Sequence, residues 1–268
     1  ARDEPAQWMQ TLATEGLADL PMPGAGFTLQ RWQALAAVAA RDLSLVKLYE
    51  GHTDAIAILA ELAHPTRADR SEVWGVWAAE APGTRVVIEA TPGAAAGRVR
   101  LIGTKCWCSG AGSVSHGLMT AWHADGRGPQ LVAVPMRQPG VSVNTELWQA
   151  VGMAGSASVN VVLDAAEAQP VGEIGAYLRR PGFWQGGAGI AACWYGGAAF
   201  LAAALQAALT AAQAAAAHRP PASFREAALG RADVELRATA ALLNEAARWI
   251  DAHPTHDAGE VALRARLR

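Results

Sequence analysis

A ten-residue segment, Leu101–Gly110, combines residue types that can hold a planar cofactor with polar edges. It reads LIGTKCWCSG, so the indole of Trp107 and the hydroxyl of Ser109 stand two positions apart. Alternate residues of a strand point to the same side. The indole can therefore cover one face of an isoalloxazine ring while the hydroxyl bonds to the polar edge of that ring. The segment indicates a flavin site.

The hydrophobic period predicts the elements that must position these residues. Up to about residue 65, apolar residues recur at helical spacing in three segments, with a break at 21–26. Between about 72 and 165 the period changes to two, which is typical of an antiparallel sheet or barrel. The predicted strands are Val73–Trp77, Arg85–Ala90, Arg98–Gly103, Gly117–Trp122, Gln130–Pro135 and Ser158–Leu163. The predicted later helices are Phe183–Ala217, Phe224–Asp251 and a third after His256.

An alanine-rich run, Ala188–Ala217, is long enough to be compared with a membrane span. The polar residues Gln206, Thr210 and Gln213 interrupt it, and alanine is only marginally apolar. We therefore predict a buried helix of a helical domain and no membrane contact.

Charge and cysteine content narrow the class of protein. The chain of 268 residues has 22 Lys and Arg against 24 Asp and Glu, so it lacks the basic character typical of nucleic-acid binding. Three cysteines do not form a disulfide framework, and a cytoplasmic location is expected. Cys106 and Cys108 stand in a C-x-C pair without a further ligand pair nearby, so no metal is predicted.

Two segments carry a resemblance to the acyl-CoA dehydrogenase superfamily. Leu101–Gly110 resembles the family's G-x-K-x-W-I-T-N segment, with Cys108 for the usual Ile and Gly110 for the usual Asn. Val151–Ser158, which runs into a strand, resembles the G-M-R-x-S-x-S segment near the end of the β-domain, with Ala154 for the usual Arg. The order of helical, strand and helical segments is also the order of this family.

The resemblance implies an α+β, acyl-CoA dehydrogenase-like fold in three parts that binds FAD and assembles as a homodimer or homotetramer. These parts are an N-terminal helical domain (1–70), a middle antiparallel β-domain that binds the flavin (71–175), and a C-terminal helical bundle (176–268). The helical pattern near residue 268 stops without a cap or breaker. We therefore expect the C-terminal bundle to be incomplete.

The resemblance also implies roles for individual residues. Trp107 is expected to stack on the flavin and Ser109 to bond near its N5 atom. Ala79 stands at the Thr of the family's T-E-P-x-x-G-S-D loop, and Arg219 stands near the Arg that reaches the FAD pyrophosphate of a neighbouring subunit. The expected cofactor-binding residues are Trp107, Cys108, Ser109, Ala79 and Arg219, and the expected substrate-binding residues are Thr84 and Trp184.

Two of these regions keep a second interpretation. Arg219 and Arg225 are equally consistent with solvated side chains at an interhelical turn. The glycines that surround Trp184 and Trp194 indicate close approach either by a ligand or by another backbone.

The activity implied by the resemblance is oxidation of an acyl thioester or similar carbonyl compound, by α-proton abstraction and hydride transfer to flavin N5. An electron-accepting flavoprotein would be a partner. The predicted helix 183–217 contains no Asp or Glu, so no catalytic base is assigned, and the chain as given is not expected to dehydrogenate acyl-CoA. The alternatives are a flavin-dependent monooxygenase or oxidase of the same fold, and a non-catalytic binding or assembly protein on that scaffold.

Overall fold

A computed structural model describes residues 4–63, 69–89, 97–215 and 223–266 of the chain. Its internal contacts divide the chain into two compact units. The barrel unit contains Ala1–Leu20 and Ser44–Phe183, and the helical unit contains Pro21–Leu43 and Trp184–Arg268.

In the part of the barrel unit that the structure describes, seven strands form a single sheet. They are β1 (Trp74–Trp77), β2 (Val86–Glu89), β3 (Val99–Cys108), β4 (His116–His123), β5 (Pro129–Pro135), β6 (Val141–Val143) and β7 (Val159–Val171). Pairing runs from β4 through β2, β3 and β7 to β5 and returns to β4, which closes a five-stranded barrel. Outside this ring, β1 pairs with β4 and β6 with β7. The pairs β1–β4 and β2–β4 are parallel, whereas the other pairs are antiparallel.

Two register shifts interrupt the pairing of β3 with β7, and both lie close to the predicted flavin segment. The first falls between Leu101 and Gly103, and the second between Lys105 and Cys108. Gly103 has a φ of 125°, and a Cβ at this position would lie 2.2 Å from the carbonyl oxygen of Arg85. Bulges of this kind bend a strand and increase its twist. They allow β3 to curve around the barrel.

Among the described residues, three α-helices belong mainly to the barrel unit: α1 (Glu4–Thr14), α3 (Leu43–Glu61) and α4 (Ala176–Arg179). α3 buries Ala55, Ile58 and Leu59, which share one face because they are three and four residues apart. The strand residues in the same core cluster are Trp74, Leu118, Leu131, Ala133 and Val171. This core holds α3 against β1, β4, β5 and β7.

The helical unit contains α2 (Thr28–Arg41), α6 (Ser223–Ala252), α7 (Gly259–Arg266) and all but the first two residues of α5 (Gly182–Ala215). The N-terminus of α2 is capped from α6. The Asp251 carboxylate accepts hydrogen bonds from the Thr28 hydroxyl at 2.6 Å and the Thr28 N–H at 3.1 Å. A carboxylate at this position satisfies a free amide and interacts favourably with the helix dipole.

α5 is long and apolar enough to span a membrane by length and composition alone, and 33% of its most apolar window is buried. Its first half is buried at Ala188, Ala192 and nearby residues, whereas Phe200, Leu201 and most residues after them are exposed. The prediction of a buried helix is therefore correct only for the first half. One of the glycines of this helix, Gly196, is explained by close approach of another backbone. A Cβ at Gly196 would lie 2.1 Å from the Ala36 carbonyl oxygen of α2.

The predicted fold class, an acyl-CoA dehydrogenase-like layout in three successive parts, is wrong. The sheet is mixed and closed into a barrel, whereas an antiparallel β-domain was expected. The first helical segments are also divided, because α2 lies in the unit of the later helices while α1 lies in the barrel unit. Hydrophobic period specifies the type of each element but not its packing partner, since packing depends on residues distant in sequence.

Candidate functional site

Trp107 lies at the second bulge of β3, near the end of the strand. Its backbone is left-handed, with a φ of 58°, and its side chain is 54% exposed. A left-handed conformation costs a bulky residue about 1–3 kcal/mol, and such strain is concentrated at functional sites. An exposed indole held at this cost offers a flat apolar surface to a ligand.

Ser109 lies two residues after Trp107, and hydrogen bonds hold both its backbone and its side chain. Its carbonyl oxygen accepts a hydrogen bond from the Trp77 indole N–H at 3.1 Å. Its Oγ lies 2.7 Å from the Oγ of Ser158, and the Oγ of Ser156 lies 3.1 Å from that of Ser158. The structure therefore brings together the two segments, 101–110 and 151–158, that sequence analysis singled out separately.

The indole of Trp77 requires two glycines beneath it. A Cβ at Gly117 would lie 2.2 Å from the ring, and a Cβ at Gly75 would lie 2.7 Å from it. Because β1 and β4 pair in register at these glycines, the ring lies over both strands. This packing places the indole N–H against Ser109.

A buried lysine lies between the loop after β1 and strand β4. Lys105 has a side chain only 2% exposed, and its Nζ is 2.7 Å from Glu80 Oε1, 2.7 Å from Thr120 Oγ1 and 3.2 Å from the Thr120 carbonyl oxygen. The Thr120 hydroxyl also donates to Glu80 at 2.6 Å. Every ammonium donor thus has an acceptor, as a buried charge requires. The network ties Glu80 and its loop to the barrel.

Site roles for Lys105 and Thr120 are not predicted from the sequence. The available signal was a lysine inside a strand pattern, two positions before the exposed Trp107. That signal does not identify the partner, because Glu80 lies 25 residues earlier in the chain.

Thr84 lies beside Cys106, near the end of β3 that carries Trp107. The Cys106 thiol donates a hydrogen bond to its Oγ1 at 3.4 Å, and the Thr84 hydroxyl donates to the Ala81 carbonyl oxygen at 3.1 Å. Ala79, in the same loop, is exposed. Contact between these residues and a ligand stays a prediction.

Cys108 is fully buried, and burial raises the pKa of its thiol to about 12. The thiol points to the Lys105 carbonyl oxygen at 3.3 Å. It is protonated at neutral pH, so only its main chain is available to a cofactor. In the described ranges, no three His, Cys, Asp or Glu side chains are grouped so as to hold a metal ion.

Contact of the remaining predicted residues, Trp184 and Arg219, with a ligand also stays a prediction. Trp184 is part of the helical unit, where a Cβ at Gly259, the first residue of α7, would lie 3.2 Å from its indole. Arg219 lies outside the described residues.

A second polar group in the barrel unit is structural. The Nδ1 atom of His52, on α3, accepts a hydrogen bond from the Trp74 N–H at 3.1 Å. Burial lowers the pKa of His52 to about 4, against a weaker opposing effect of Asp19. His52 is therefore neutral at pH 7 and serves as an acceptor for the first residue of β1.

No family model matches the chain, and no curated protein matches it. Solved structures do match. KijD3 in complex with dTDP has a TM-score of 0.74 and 19% identity, and the match covers 97% of this chain and 72% of KijD3. FMN-bound TdsC from Paenibacillus sp. A11-2 has a TM-score of 0.73 and 18% identity, with 98% and 80% of the two chains covered.

A nitrososynthase from Micromonospora carbonacea var. africana has a TM-score of 0.69 and 22% identity, with 95% of this chain and 71% of that chain covered. These similarities show that the chain shares the fold of flavin-dependent enzymes such as TdsC. The predicted membership of the acyl-CoA dehydrogenase superfamily is wrong, since the matching structures include KijD3, TdsC and nitrososynthase. The motifs that suggested membership are short and local.

Proposed function

We propose that this chain is a flavin-dependent monooxygenase or oxidase that uses FMN to oxidise a small organic molecule. The observation that carries the proposal is the exposed, left-handed Trp107, followed two residues later by the Ser109 hydroxyl. TdsC was solved with FMN and indole, and KijD3 with FMN and a dTDP-linked amino sugar, on a fold that this chain shares. These complexes favour FMN over the FAD expected from the sequence.

The residues at this end of the barrel fit a flavin. Trp107 presents an apolar face for a flat ring, and Ser109 presents a hydroxyl for its polar edge. When bound, a reduced flavin supplies the electrons with which dioxygen is activated. Lys105 and Thr120 hold Glu80, so the loop carrying Ala79 and Thr84 is attached to the barrel beside Cys106.

The state of Glu80 gives no support to acyl-thioester dehydrogenation. α-Proton abstraction needs a base within hydrogen-bond reach of the substrate carbon. The Glu80 carboxylate lies in the loop that carries Ala79 and Thr84, and it already accepts hydrogen bonds from Lys105 and Thr120. It is a counter-ion for a buried ammonium, and it is poorly placed to act as a base.

We also propose a location and a partner for the chain. None of the three cysteines, all of which lie in the described residues, forms a disulfide, and this supports a reducing compartment such as the cytoplasm. A flavin reductase would supply reduced FMN, in place of the electron-accepting flavoprotein that a dehydrogenase needs.

Binding tests the proposal first. The purified chain should bind FMN with a dissociation constant below that for FAD, measured by flavin absorption between about 350 and 500 nm and by fluorescence quenching. Trp107→Ala should weaken FMN binding at least about fivefold, the equivalent of roughly 1 kcal/mol of aromatic contact. Trp8→Ala removes an indole of similar exposure (48%) from α1 and serves as the matched control.

Turnover then separates the activities. With NADH and an unrelated flavin reductase, we expect oxygen consumption that rises on addition of an oxidisable aromatic probe such as indole. Bleaching of bound flavin by acyl-CoA would favour dehydrogenation instead. A colourless protein that refuses both flavins would show a non-catalytic role.

A further inference from the structure

Three serine hydroxyls form a continuous row that begins at the candidate flavin site. The Oγ atoms of Ser109 and Ser158 are 2.7 Å apart, and those of Ser158 and Ser156 are 3.1 Å apart. Ser156 is only 1% exposed, whereas Ser109 and Ser158 are half-buried. The row therefore runs from the ligand side into the protein.

The backbone around the row is fixed and strained. The Gly110 N–H donates to the Ser156 carbonyl oxygen at 2.8 Å, which joins the two segments directly. Met153 and Ala157, which precede and separate the inner serines, both have left-handed backbones with φ values of 41° and 38°. Residues with a Cβ adopt this conformation only where the surrounding structure compensates for its cost.

A row of hydroxyls can point in either of two directions. Each hydroxyl has one hydrogen to donate and two lone pairs to accept with. If Ser158 donates to Ser109, the Ser109 hydrogen is free for a ligand acceptor. If Ser109 donates inward to Ser158, its lone pairs are free for a ligand donor. The terminal hydroxyl thus serves as donor or acceptor according to the direction of the row.

We infer that Ser158, supported by Ser156, is a positioning residue that lets Ser109 bond to the flavin N5 atom in both redox states. This inference rests on the proposed function and on the predicted bond between Ser109 and N5. N5 accepts a hydrogen bond in oxidised flavin, and it carries a hydrogen and donates in reduced flavin. Ser109 can donate to oxidised flavin without Ser158. To accept from reduced flavin it needs a place for its own hydrogen, and Ser158 provides that acceptor.

The inference predicts an asymmetric effect of Ser158→Ala. Affinity for reduced FMN should fall roughly three- to tenfold more than affinity for oxidised FMN, the size expected for one neutral hydrogen bond. The same change should appear as a lowered midpoint potential of bound FMN. Ser158→Thr, which keeps a hydroxyl, should restore the parent ratio. In a Ser109→Ala background, Ser158→Ala should have no further effect on the ratio.

Affinities for oxidised and anaerobically reduced FMN, with thermal unfolding of the apoprotein, test this set. Ser113→Ala is the matched control, since the Ser113 hydroxyl donates to the Gly110 carbonyl oxygen in the same turn and lies outside the row. If Ser158→Ala does not fold, Ser156→Ala should give a smaller shift of the same sign. Equal losses for both redox forms, or an undiminished effect without the Ser109 hydroxyl, would overturn the inference while leaving FMN binding intact. A parent chain that binds no flavin would overturn both this inference and the proposed function.

Discussion

Replacing Glu80 by alanine leaves the Lys105 ammonium buried without its counter-ion. Lys105 is 2% exposed at its side chain, and after the change it keeps only the two Thr120 oxygens as acceptors. Breaking a buried ion pair by removing one partner costs about 3–5 kcal/mol. Because the Glu80 side chain is 35% exposed and water reaches that side of the pair, we expect a loss near the lower limit, about 3 kcal/mol.

The reverse change should cost less. Lys105→Met keeps a long unbranched side chain in the core and removes the buried ammonium itself, so no unpaired charge is left there. The Glu80 carboxylate left behind is partly exposed and keeps the Thr120 hydroxyl as a donor. We therefore expect Glu80→Ala to be more destabilising than Lys105→Met, and the double variant to be more stable than Glu80→Ala alone.

Calorimetry and urea titration measure this order. A loss of about 3 kcal/mol corresponds to a fall in Tm of roughly 6–12 °C for a protein of this size. Glu167→Ala is the control, because it breaks the exposed Arg98–Glu167 pair, and such pairs contribute about 0–1 kcal/mol. If Glu80→Ala is no worse than Glu167→Ala, or if Lys105→Met is the worse of the two core variants, the assignment of a buried, charge-balanced network is wrong.

Two further predictions concern His52 and Trp107. Burial lowers the pKa of His52 from 6.5 to about 4, so between these pH values the unfolded chain binds a proton that the folded chain does not. The contribution of His52 to the free energy of unfolding is therefore fully present above about pH 6.5 and falls as the pH drops towards 4. The loss should reach roughly 3 kcal/mol in urea titrations, and His52→Gln should remove most of this slope; an unchanged slope in that variant would contradict the assignment. At Trp107, where φ is 58°, Trp107→Gly should give an apoprotein about 1 kcal/mol more stable than Trp107→Ala, although both lose affinity for FMN. Equal stability of the two variants would show that the backbone there is not strained.

Much of the local structure could be predicted from the sequence. The change of hydrophobic period located α1–α3, the six strands that were predicted and the helices after residue 182. The predicted strands correspond to β1–β5 and β7, although β3 and β7 extend beyond their predicted ends and β6 was missed. The spacing of apolar residues within one segment indicates the type of element and its buried face, and it can be read from that segment alone.

Pairing between distant segments could not be predicted in this way. The parallel pairs of β4 and the closure of the barrel depend on strands that are far apart in sequence. The acyl-CoA dehydrogenase resemblance depended on two short motifs, and short motifs do not specify how the parts pack. The exposed half of α5 shows the same limit, because burial of an apolar helix depends on what packs against it.

The candidate site also combines local features that the sequence predicts with contacts between distant segments that it does not predict. The sequence by itself determined that an indole and a hydroxyl occur two residues apart at the end of a strand-rich segment, because those positions are local. Only the tertiary structure decided that a bulge turns Trp107 outward, that Lys105 meets Glu80, and that Ser109 meets Ser158 49 residues later. Those contacts arise because β7 pairs with β3 at Val159 and Cys108, beside Ser158 and Ser109, and because Thr120 of β4 and Glu80 of the loop after β1 both reach Lys105.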